Sequence, residues 1–211
     1  MNKLINAFED RSEKLLSIYF SAGYPQLEDT GRIMIALQNG GADMIEAGIP
    51  FSDPVADGPT IQDSNKIALD NGITVKKILE QVEEVKEKIQ IPVILMGYLN
   101  PVYQYGMEKF CADCQKAGVS GLIIPDLPVQ EYQNEYQSLF EKHHLANIFL
   151  ITPQTSEERI REIDRLSKSF IYMVSSASTT GARKGLSRDQ VGYFKRVGAV
   201  SYTHLRAHET Y

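Results

Sequence analysis

Six short apolar runs recur along this chain, each followed by a segment with helical spacing, and several of the runs are continuous instead of alternating. They are LLSIYF (15–20), ADMIEAG (42–48), IPVILMGYL (91–99), GLIIPD (121–126), ANIFLIT (146–152) and SFIYMVS (169–175). A continuous run implies burial on both faces, as in a parallel sheet covered by helices. The segments between them, such as TGRIMIALQNGG, VKKILEQVEEVKEKI and VQEYQNEYQSLFEKHH, would supply right-handed crossovers from strand to strand. TSEERIREIDRLSK opens with Thr155 and Glu158 at capping-box spacing. Strand followed by helix, six times over, leaves an open doubly wound sheet or a (β/α) barrel. No Gly-x-Gly-x-x-Gly follows a strand, which weakens the dinucleotide-binding open sheet. In either architecture, ligands bind at the C-terminal ends of the strands.

Composition narrows the function classes. A net charge of -5 argues against a nucleic-acid surface but leaves small anionic ligands open. No run reaches the ~18 apolar residues of a membrane span, and the N-terminus lacks the apolar core of a signal peptide. A cytoplasmic location is expected. Cys111 and Cys114 lie inside a helical pattern, not at its start, and read as reduced packing thiols. No metal site is expected. His204 and His208 have i, i+4 spacing but no third ligand, and His143 and His144 end a helix, where the dipole favours positive charge. Tyr132 and Tyr136 read as a packing stripe.

The chemistry concentrates in IEAGIPFSDPVADGPTIQ (45–62). Glu46 interrupts an apolar strand, where an unpaired charge is costly. Prolines 50, 54 and 59 stiffen the loop that leads to Asp57. A stiff loop can hold two carboxylates on opposite sides of a small ligand. One in apolar surroundings suits proton transfer near neutrality, while an accessible one, as Asp57 is expected to be, stays ionised. The same acids also fit a Glu paired with a donor on a neighbouring strand and an Asp that caps the next helix. YMVSSASTTGARKG (172–185) reads either as a mobile flap or as an ordinary loop.

MIEAGIPFSDPVADGPTIQ, together with FSAGYP, PVILMGYLNPV, GLIIPDLPV, ITPQTSEERI and FIYMVSSASTTG in that order, resembles the tryptophan synthase alpha chain family from about residue 3 to about 200. The resemblance implies a TIM (β/α)8 barrel, here incomplete with about six βα units. It implies a lyase that cleaves indole-3-glycerol phosphate to indole and glyceraldehyde 3-phosphate in tryptophan biosynthesis. It also implies a beta-chain partner in an alpha2beta2 complex. This chain itself would carry no cofactor, the pyridoxal phosphate belonging to the beta chain. By the same resemblance, Glu46 is the general acid/base and Asp57 holds the indole N–H. Tyr172 lies near the catalytic Glu. Thr180 and Gly181 belong to the closing flap. Tyr19, Ile61 and Met96 match indole-pocket positions, and Asp53, Asn100, Asp126 and Pro128 match the partner interface. The family often has Phe at position 19, so a hydroxyl must be accommodated there.

The chain departs from the family pattern after Val200. Residues 201–211, SYTHLRAHETY, show neither a strand nor a Gly-rich pattern and resemble a translated foreign junction. The expected organisation is a partial barrel over 1–200 followed by a non-family tail. The first and sixth strands would then be bare edges, and the glycine-rich turns that bind substrate phosphate in the family would be missing. Poor stability and low activity are expected. The alternative role is an impaired fragment that only binds or activates the beta chain.

Overall fold

A computed structural model describes residues 2–9, 14–54, 57–174, 188–200 and 204–208, with Glu9, Val200 and residues 204–208 described by backbone alone. Parallel strands β1 (Ser17–Ser21), β2 (Met44–Gly48), β3 (Val93–Met96), β4 (Gly121–Ile123) and β5 (Ala146–Asn147) pair in chain order. A second ladder joins β6 (Leu150–Ile151), β7 (Phe170–Val174) and β8 (His204–His208), again parallel.

The wall is continuous where the ladders meet. Ile148 N–H donates to Leu122 O at 2.9 Å on one side, and Tyr172 N–H donates to Phe149 O at 2.9 Å on the other. The expected strand 146–152 is therefore split at Ile148–Phe149, where pairing passes from β4 to β7. The expected run 91–99 also ends early. Leu99 opens helix α5 instead, because its N–H is taken by the Asp126 carboxylate at 2.8 Å.

Helices α1 (Lys3–Glu9), α2 (Asp29–Asn39), α3 (Pro59–Asp70), α4 (Val75–Val85), α5 (Leu99–Tyr105) and α6 (Met107–Ala117) precede β4. A later helix runs as α7 (Val129–Glu131), a π-helical turn (Tyr132–Tyr136) and α8 (Gln137–Lys142); α9 (Glu157–Leu166) and α10 (Arg188–Val200) complete the set. Thr74 caps α4 by accepting from Lys77 N–H. For α9 the cap is Ser156, which accepts from Arg159 N–H at 3.3 Å. The expected cap, Thr155, instead accepts from Thr152 N–H at 2.9 Å. Gly106, at φ 94, makes the sharp break between α5 and α6 that a side chain would resist.

Side-chain alternation divides the core into two. Ile45, Ala47, Val93, Leu95, Leu122, Ile171 and Met173 face the helices. Met44, Ile94, Ile123, Ala146, Phe170 and Tyr172 face the other way and form an inner cluster. Leu4 and Phe8 of α1 close that cluster from the N-terminal end of the strands, with Phe8 stacked on Phe170 at 5.1 Å between ring centroids. This is the architecture of an incomplete TIM barrel, with strand interiors filled in layers.

One expectation is overturned at the end of the chain. Residues 204–208 form a strand in register with β7, Phe170 opposite His204 and Tyr172 opposite Arg206. The sixth expected strand is therefore covered on that side. Because His204 and His208 lie on a strand, their i, i+4 spacing does not put them on adjacent turns of one helix face.

Candidate active site

The site is built from the inner faces of β1 and β2. Tyr19 and Glu46 lie opposite each other in the parallel ladder, and Ser21 lies opposite Gly48. Glu46 is only 4% exposed, and Ser17 donates its hydroxyl to Glu46 Oε1 at 2.5 Å. The reading of Glu46 as an acid paired with a donor on a neighbouring strand is therefore met, the donor being the Ser17 hydroxyl of β1. The Tyr19 hydroxyl lies over Gly48: a Cβ built at Gly48 would come within 2.2 Å of Tyr19 Oη. The absent side chain on β2 is what accommodates the hydroxyl.

Both tyrosines of the site resist ionisation. Burial pushes the Tyr19 phenol up to about 12; a hydrogen bond with Ser21 opposes this, and the charges of Asp57 and Glu46 add to it. Burial also raises Tyr172, on β7, with further contributions from Glu46 and Tyr19. Tyr19 thus senses both acids, and Tyr172 senses Glu46, so these four side chains share one region of the interior.

Asp57 immediately precedes α3. Its N–H donates to Pro54 O at 3.1 Å, and its carbonyl accepts from Gln62 Nε2 at 2.7 Å. The helix begins at Pro59, with Gly58 in the capping position and no side-chain cap. The helix-cap reading of Asp57 is therefore excluded. Asp57 is partly buried, more accessible than Glu46, and desolvation raises its pKa above the ordinary value of 3.8. Phe51 packs on Tyr98 with ring centroids 5.2 Å apart, which ties the loop after β2 to the end of β3.

The other expected positions fall around this centre. Ile61 sits partly buried in the first turn of α3. Met96 ends β3 in register with Gly48 and packs against the inner cluster. Asp53, Asn100, Asp126 and Pro128 are all exposed. Asp53 accepts from Ser52 Oγ at 2.8 Å, and Asp126 holds the start of α5 through Leu99 N–H. Thr180 and Gly181 lie outside the described residues.

Ser17 was not anticipated, although a signal existed: Ser17, Tyr19 and Ser21 alternate as polar positions in an otherwise apolar run. Ser21 Oγ also meets Ser64 Oγ at 2.8 Å and donates to Asn65 Oδ1 at 3.1 Å, which locks α3 onto β1 below the acidic loop. Among the described residues no group of three or more His, Cys, Asp or Glu side chains could hold a metal ion. Cys111 and Cys114 are fully buried, and burial pushes the Cys111 thiol up to about 12 and Cys114 well above its ordinary value.

A cavity of about 420 Å³ lies at the opposite end of the strands, lined by Lys3, Lys86, Lys116 and His143 among others. Its cations have a structural explanation. The carboxyl ends of α4, α6 and α8 converge there, with Lys3 donating to Ile89 O at 2.7 Å and Lys86 to Lys116 O at 3.3 Å.

Comparison with known proteins agrees with this geometry. A family model described as tryptophan synthase alpha chain matches residues 5–204. A protein of that name from Flavobacterium psychrophilum is 56% identical over 201 residues, covering 95% of this chain and 79% of the relative. Another from Christiangramia forsetii is 58% identical over 197 residues, covering 93% of this chain and 77% of the relative. The crystal structure of tryptophan synthase subunit alpha from Legionella pneumophila superposes with a TM-score of 0.88 at 36% identity, covering 98% of this chain and 78% of that one.

Proposed function

Because the chain belongs to the tryptophan synthase alpha chain family, lyases that cleave indole-3-glycerol phosphate, we propose that Glu46 and Asp57 carry that retro-aldol reaction here. The observation that supports this most directly is the buried Glu46 at a strand position opposite Tyr19, with the Asp57 charge also felt at the Tyr19 hydroxyl. Glu46 delivers a proton to indole C3, which turns the ring into an electron-accepting iminium. It also helps remove the proton of the neighbouring carbinol hydroxyl. As that proton leaves, a C=O bond forms and the C–C bond to the ring breaks. The released electron pair restores neutral indole. Asp57 accepts the indole N–H and offsets the positive charge that grows on the ring nitrogen. Tyr19, Ile61 and Met96 bound the indole, and Tyr172 stands beside Glu46. Thr180 and Gly181 are assigned to a flap that closes over the substrate.

The exposed Asp53, Asn100, Asp126 and Pro128 form, in this proposal, the contact with a beta chain that carries pyridoxal phosphate and consumes the indole. A cytoplasmic location follows from that pathway; no described helix is long and apolar enough to cross a membrane. The test is Glu46→Gln, assayed for indole release from indole-3-glycerol phosphate. Turnover should fall by at least about 100-fold, the lower bound typical of lost acid–base catalysis. Turnover equal to that of the parent chain would remove Glu46 from the mechanism.

A further inference from the structure

We propose that Ser17 is a positioning residue for the reaction: its hydroxyl, reaching across from β1, fixes the orientation of the Glu46 carboxylate and favours its charged form. The inference rests on the catalytic assignment of Glu46 above. Ser17 Oγ lies 2.5 Å from Glu46 Oε1, and since a carboxylate can only accept, the hydroxyl is the donor. Ser17 is opposite Met44 in the ladder, whereas Glu46 is opposite Tyr19. The Glu46 side chain therefore leans one row toward the N-terminal end of the strands to reach it. Tyr19, two residues further along β1, separates Ser17 from the end where substrate enters. Ser17 consequently acts through Glu46 and not on the substrate.

The placement has an energetic reason. Serine suits a strand interior less well than valine or isoleucine, and here it faces an inner cluster that includes Met44 and Ile94. A hydroxyl in that setting is tolerated because it donates to an acid. A bond to an ionised acceptor is stronger than a neutral one, and it favours the charged form of the acceptor. Two phenols also feel Glu46, Tyr19 from β1 and Tyr172 from β7, and Tyr19 feels the Asp57 charge as well.

The test compares Ser17→Ala and Ser17→Thr with the parent chain, with and without added beta chain, measuring kcat, KM and the pH dependence of kcat. In Ser17→Ala, kcat should fall about tenfold, the effect of losing one hydrogen bond to a charged group. KM should stay within about twofold, because Ser17 lies behind the pocket. The limb of the pH profile governed by Glu46 should move to higher pH. Ser17→Thr, which keeps the donor, should restore both kcat and the limb. A parental kcat and pH profile in Ser17→Ala would overturn the proposal. So would a loss that Ser17→Thr fails to restore, since that marks a packing effect alone. A ¹³Cδ titration of Glu46, identified by the signal lost in Glu46→Gln, reads the same displacement without turnover. Glu46→Gln run in parallel separates the two levels of failure. If it is inactive while Ser17→Ala is normal, only the Ser17 role falls; if it keeps full turnover, the catalytic assignment itself falls.

Discussion

Asp57 exposes a tension between chemistry and stability. Its pKa is raised by burial, so the native state binds this proton more tightly than the unfolded chain does. The stabilisation is complete below the ordinary value of 3.8 and is lost as pH rises through the folded value. At neutral pH the ionised Asp57 is therefore a net cost to folding. Asp57→Asn should melt higher than the parent at pH 7, with the advantage vanishing at acidic pH, while indole release falls by about 100-fold or more. Thermal melts across pH, paired with turnover, check both halves; a variant that melts lower at pH 7 would contradict the desolvation argument. Both acids were legible in the sequence because each stands out against its surroundings, one in an apolar strand and one in a proline-stiffened loop. The Ser17–Glu46 bond was not legible, although the alternation of Ser17, Tyr19 and Ser21 was visible. The bond depends on ladder register, which sets Ser17 opposite Met44, and register is a property of two strands together.

At the scale of elements, α5 depends on a residue far from it in sequence. Tyr98 precedes the helix but supplies no side-chain cap, and Asp126 reaches across from the loop after β4 to take Leu99 N–H at 2.8 Å. Removing a helix cap of this kind costs about 1 kcal/mol. Asp126→Ala should lower Tm by roughly 2–4 °C in a domain of this size, measurable by circular dichroism. Loss of beta-chain activation without any change in Tm would instead make Asp126 purely a contact residue. The apolar runs announced the strands, and the spacing between them announced the helices, because both follow from periodicity. The boundaries did not follow from periodicity alone. Leu99 is apolar and continues the β3 run, yet a remote carboxylate recruits it into a helix. ANIFLIT is unbroken as a sequence, yet its pairing changes partner at Ile148–Phe149.

The whole molecule has an inner cluster that the strands alone leave open at one end, and α1 fills it. Leu4 is fully buried there, whereas Leu16, just before β1, is 52% exposed. Leu4→Ala should cost about 2–5 kcal/mol, against no more than about 0.5 kcal/mol for Leu16→Ala, with urea denaturation as the measurement; similar losses for both would show that α1 does not seal the interior. The repeated strand–helix alternation left an open sheet or a barrel, and the family resemblance pointed to the barrel. The strand at 204–208 was not legible, since THLRAHE carries none of the apolar continuity that marked the others. The stacking of Phe8 on Phe170 also has a consequence in time. During synthesis Phe170 is made more than 150 residues after Phe8. At typical elongation rates that gap is roughly 10–30 seconds. Through that interval Leu4 and Phe8 have no completed cavity to enter. A helix made well before β7 is thus among the last elements to find its place, and until then its apolar face has nothing of the inner cluster's far wall to pack on.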